Sequence, residues 1–119
     1  LNQADPSYLS FGKIALPAVV EHGLGVQVMK SLGNGGLLST MTARECIDYA
    51  LTLPTHCIAL GFTSIEQVED DVRSAQRHTP LTPGEMEILR DRAAAVAGPD
   101  MEKWKKPMEA LARPRHDDV

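Results

Sequence analysis

Apolar positions fall along the chain in two patterns, stripes at helical spacing and short unbroken runs. Phe11, Ile14, Ala15, Ala18 and Val19 are helically spaced and predict a helix over Phe11 to His22. Gly23 is its stop, and Pro17 inside the stripe predicts either a kink or a start at the proline. Gly25 to Lys30 is short, mostly apolar and β-branched, and predicts a strand. Ser31-Leu32-Gly33-Asn34-Gly35-Gly36 is a loop. Thr42 with Glu45 three residues on is a capping box, opening a helix to about Leu53 with Ala43, Cys46, Ile47, Ala50 and Leu51 as its stripe. Thr55 to Leu60 predicts a second strand. Thr63 or Ser64 then caps a helix whose apolar face is Ile65, Val68, Val72 and Ala75. Thr82-Pro83-Gly84-Glu85 opens another, to about Ala97. Met101 to Leu111 carries Trp104 and a less regular helical pattern, interrupted by Pro107.

Two strands about thirty residues apart with a helix between them have the spacing of a βαβ crossover. Both runs lack polar alternation, as parallel strands buried on both faces do. Two such strands leave edges and faces uncovered. The pattern therefore asks for more strands, from a preceding segment or from another chain.

The chain has 119 residues, enough for one domain at most. Hydrophobic residues are 43% and charged residues 24%, an ordinary globular balance. The net charge of −4 offers no basic footprint for nucleic acid. No apolar run is long enough for a membrane-spanning helix. Two cysteines, Cys46 and Cys57, are too few for a disulfide scaffold and fit a cytoplasmic protein. The chain starts at Leu1 rather than Met, which predicts a piece of something longer, and Leu1 to Tyr8 is no signal peptide.

Candidate chemistry lies after the strands. The glycines of Leu32 to Gly36 let backbone approach a phosphate or simply make a flexible turn; neither GK[ST] nor G-x-G-x-x-G is present. Gly61-Phe62-Thr63-Ser64 joins the second strand to a helix N-terminus, which makes it an anion turn or merely a cap. Both segments come after their strands on one rim, where α/β folds bind ligands. Lys30 is a phosphate ligand or an ordinary strand-end lysine. His22, His56, His78 and His116 lack metal-ligand spacing, so no metal site is expected. Cys46 and Cys57 read as small buried hydrophobes, and Glu69-Asp70-Asp71 as a solvated helix face. No catalytic constellation is visible.

Four co-linear segments resemble one family. Gly25-Val26-Gln27-Val28-Met29-Lys30-Ser31-Leu32-Gly33 resembles the "GV-x-x-MKPLG" strand and loop of bacterial aldo-keto reductases. Cys57 to Val68 resembles their "V-V-I-x-G-x-x-S-x-E-Q-L". Leu1-Asn2, Asp5, Tyr8 and Ser10-Phe11 resemble "LN-x-x-D-x-x-Y-x-S-F", and Leu81 to Glu85 resembles "L-T-x-E-E". The resemblance extends to about residue 105. It implies an α/β fold with parallel strands: the C-terminal part of a (β/α)8 TIM-type barrel, its last two to three βα units, over residues 1–105. Residues 106–119 would be a polar tail. The implied function is NAD(P)H-dependent reduction of aldehydes or ketones, with a small carbonyl substrate. The expected cofactor is NADP(H), with NAD(H) also open. Completion by the remaining N-terminal barrel segment or another chain is implied; nucleic acid and membrane are not expected partners. The family's catalytic Tyr, Lys, His and Asp have no counterparts here, so the chain would carry cofactor-binding residues only. Lys30, Ser31, Leu32 and Gly33 would lie along the pyrophosphate. Gly61, Phe62, Thr63 and Ser64, with Gln67 and Asp71, would hold the adenosine-phosphate end. Ser31 stands where the family has proline, and the second segment lacks the Lys or Arg that often meets a 2′-phosphate. A stand-alone nucleotide- or phosphate-binding module and a non-catalytic interaction fragment are the alternatives.

Overall fold

Side-chain caps set the helix starts in the computed structural model, which describes residues 1–112. Ser10 Oγ accepts from Lys13 N at 3.0 Å and opens α1 (Phe11–Glu21), which continues through Pro17. Thr42 and Glu45 form the expected reciprocal capping box at α2 (Ala43–Thr52). Ser64 caps α3 (Ile65–Gln76) by accepting from Gln67 N. A second capping box, Thr82 with Glu85, opens α4 (Pro83–Ala94) with Pro83 at its first position. α5 is Lys106–Ala112. Short 3₁₀ segments at Asp5–Ser7 and Lys103–Lys105, and a 3₁₀-like stretch Gly33–Ser39 broken by non-helical backbone at Asn34 and Gly35, complete the described helical elements.

Strands β1 (Gln27–Val28) and β2 (Cys57–Ile58) pair in parallel, Gln27 opposite Cys57 and Val28 opposite Ile58. They are much shorter than the runs that predict them, and among the described residues they form a sheet of two strands. The expected portion of a (β/α)8 barrel is therefore not what forms. A barrel wall needs long, laterally continuous strands whose inward residues make the core. Here Gln27 and Cys57 are exposed, and Val28 alone of the ladder is buried. Burial lies elsewhere. Ala4, Leu37, Met41, Cys46 and Ala93 form one core cluster, built from the N-terminal segment, the second 3₁₀ segment, α2 and α4. Tyr49, Met86 and Leu89 form another between α2 and α4. The domain is mostly helical, with a short parallel pair at one side.

Two sequence expectations are inverted on α3. Ile65, Val68 and Val72 are 74%, 38% and 48% exposed, whereas Asp71 is buried. Cys57 is exposed rather than a buried hydrophobe. Residues 106–112 of the expected tail form α5; residues 113–119, with His116, lie outside the described residues.

A buried ionic network ties residues 100 positions apart. Lys105 is fully buried, and its Nζ donates to Asp5 Oδ1 at 2.7 Å, Tyr8 O at 2.8 Å and Glu102 Oε1 at 3.1 Å. Asp5 also accepts from Ser10 Oγ, Phe11 N and Gly12 N. Burial pushes the Asp5 carboxyl up, but these donors outweigh it and leave Asp5 below its ordinary value. Glu102 has fewer donors, and burial holds its carboxyl above the usual range despite Lys105. Buried Asn2 joins this network to the loop after β1: its Nδ2 faces Glu102 Oε2 at 3.5 Å and donates to Lys30 O at 2.9 Å.

Candidate functional site

Parallel pairing puts the segments after β1 and β2 on the same side of the sheet. The chain leaves β1 through Lys30, held at φ +62°, a region that costs a non-glycine residue on the order of 1–3 kcal/mol. Asn2 Nδ2 and Gly33 N both donate to the Lys30 carbonyl at 2.9 Å, which holds this conformation. Gly33, Asn34 and Gly35 come next at φ +60°, +55° and +85°. The two glycines are what the turn requires, since any side chain pays for left-handed backbone. Lys30 Nζ donates to Asn34 Oδ1 at 2.7 Å and sits 5.5 Å from the Trp104 ring centroid.

The chain leaves β2 through Gly61 to Ser64. Thr63 donates to Gln67 Oε1 through its N at 2.8 Å and its Oγ1 at 3.1 Å. Gln67 therefore presents its amide nitrogen as a free donor among the described residues. The first N–H groups of α3 lack intrahelical acceptors, and the helix dipole makes that end electropositive.

Between the two segments lies a cleft of about 600 Å³, within the ~300–1,000 Å³ range of small-molecule sites. Lys30, Ser31, Leu32, Gly61, Thr63, Gln67 and Asp71 line it. Three other candidate residues do not: Gly33 is buried beneath the loop, and Phe62 and Ser64 are exposed away from the walls. Met29, Asn34, Gly35, Leu38, Ala43, Ala59 and Leu60 complete the lining; of these the sequence points only to Asn34 and Gly35, as part of a loop that could approach a phosphate. Asn34 and Gly35 belong to the glycine-rich loop itself. Leu38 and Ala43 carry no signal, because nothing in a helix stripe tells that its first turn meets a cleft.

Two polar side chains of the lining lack partners. Ser31 is 1% exposed, and its Oγ has no hydrogen-bond partner. Asp71 is 9% exposed, and no donor meets its carboxylate among the described residues. Burial raises the Asp71 carboxyl, and the neighbouring Asp70 charge raises it further. Buried polar groups are almost always hydrogen-bonded, so both side chains carry unused capacity. The lining offers donors at Lys30, Ser31 and Gln67 and an acceptor-only carboxylate at Asp71.

His56 and His78 are held in the fold. His56 Nδ1 accepts from Val26 N at 2.9 Å beside the strand pair, and His78 Nδ1 lies 2.8 Å from Asp48 Oδ1. Among the described residues, no three His, Cys, Asp or Glu side chains converge as metal ligands. No described helix is long and apolar enough to cross a membrane. The chain matches no protein-family model, no curated protein and no solved structure.

Proposed function

We propose that the cleft binds a nicotinamide dinucleotide, with the pyrophosphate at Lys30 and Ser31 and the adenosine end at Thr63 and Gln67. The observation that carries this reading is the buried, unpartnered hydroxyl of Ser31, a residue that lines a cleft together with the Lys30 cation and with Thr63 and Gln67 near the start of α3. Phosphate supplies an acceptor that the Ser31 hydroxyl lacks and a charge for Lys30, whose Nζ uses one donor on Asn34. The resemblance to aldo-keto reductases suggests the use: a bound nicotinamide supplies hydride for reduction of an aldehyde or ketone. This chain's residues would hold and orient that cofactor. Its sequence has no match to the family's proton-donating Tyr, Lys, His and Asp, so the proposal assigns it no catalytic step.

Ser31→Ala separates a ligand-binding hydroxyl from a structural one. A buried hydroxyl without a partner costs on the order of 1–3 kcal/mol, so its removal leaves stability unchanged or raises it by about 1 kcal/mol. The same change removes one hydrogen bond to ligand, worth roughly 3- to 10-fold in affinity. Nicotinamide-fluorescence titration beside urea unfolding should show affinity falling while stability holds or rises. A folded chain that binds neither NADH nor NADPH would refute the proposal.

A further inference from the structure

We propose that Asp71 makes the cleft selective for an unphosphorylated ribose, so that it accepts NAD(H) in preference to NADP(H). This rests on the dinucleotide reading above. Asp71 lies four residues after Gln67 on α3, one helical turn on, and both side chains line the cleft. Asp71 is 9% exposed as a residue, and no donor meets its carboxylate among the described residues. A ribose diol brings O–H donors and no charge, which suits an acceptor-only carboxylate. A phosphate monoester brings no strong donor and a charge of about −1.5 to −2 at neutral pH. Beside Asp71 that charge meets repulsion.

Nothing cationic offsets this on α3. From Gly61 to Asp71 the chain contains no Lys or Arg. Arg73, the first arginine beyond, donates to Asp70 Oδ1 at 2.7 Å and lies 3.9 Å from Glu69. Arg73 and Arg77 line a separate small depression with Arg44 rather than the cleft. Lys30 is the cation of the lining, on the loop after β1. The charges therefore divide the cleft: anion at Lys30 and Ser31, neutral hydroxyls at Asp71.

Parallel calorimetric titrations with NADH and NADPH test this on the intact chain. The expected result is NADH binding at least tenfold more tightly, with Asp71→Asn shrinking that ratio by weakening NADH and strengthening NADPH. Asp71→Ser is the second variant, expected to act in the same direction. NADPH binding as tightly as NADH to the unaltered chain would overturn the inference and leave the dinucleotide reading standing. An unchanged ratio in both folded variants would also overturn it. Binding of neither cofactor by a folded chain would remove the dinucleotide reading, and this inference with it.

Discussion

At the scale of single residues, two buried charges behave oppositely. Lys105 is fully buried but saturated, with three acceptors within 3.1 Å. Removing one partner of a buried ion pair typically costs about 3–5 kcal/mol, because the remaining charge stays desolvated. Asp5 keeps Ser10, Phe11 and Gly12 as donors, so Lys105→Met should fall near the lower end, about 3 kcal/mol by urea unfolding. Asp71 is buried without donors, and its carboxyl is raised by burial and by Asp70. Its folded-state pKa exceeds the unfolded value, so the folded chain holds that proton more tightly. Its stability contribution is intact below the unfolded carboxylate range and is lost as pH rises through the folded value. Asp71→Asn should therefore raise Tm at pH 7, with the gain vanishing toward pH 3; a loss of Tm at pH 7 would contradict this. Neither burial was legible in the sequence. Asp71 sits in an acidic run and Lys105 in a basic one, and local composition does not report which member of a run turns inward.

At the scale of elements, starts were legible and surroundings were not. Thr42 with Glu45, Ser64, and Thr82 with Glu85 cap as their spacing predicts, because capping is a contact over three residues. The strands shrink to two residue pairs because an apolar run needs long partners on its edges to be drawn out as strand. The stripes on α1 and α3 predict a buried face. A stripe shows which side can be covered, not what covers it, and Ile14 at 75% and Ile65 at 74% exposure remain open. With so little burial, α3 depends on its cap more than α4 does. Ser64→Ala should cost about 1 kcal/mol and fray the turn that presents Thr63 and Gln67 to the cleft. Thr82→Ala should cost a similar amount in α4, outside the cleft. Only the first should weaken dinucleotide binding at a concentration and temperature where both variants are folded by circular dichroism.

At the scale of the whole molecule, the site is assembled by contacts distant in sequence. β1 and β2 pair across 30 residues and aim their C-terminal turns into one cleft. Asn2 holds the Lys30 carbonyl and is itself seated beside Glu102, so the two ends of the described chain support the loop after β1. The co-location of those turns was foreseeable, since paired parallel strands end, and release their next turns, on one side of the sheet. The helical core between α2 and α4 was not, because the pattern favours a sheet interior that never forms. Whether this cleft is the dinucleotide site is read by amide chemical-shift mapping of the ¹⁵N-labelled chain during NADH titration. Saturable shifts centred on Lys30 to Gly35 and on Gly61 to Gln67 are expected, with the amides of α4 unmoved. Saturable shifts confined to any other surface, or none at millimolar NADH, would contradict the dinucleotide reading.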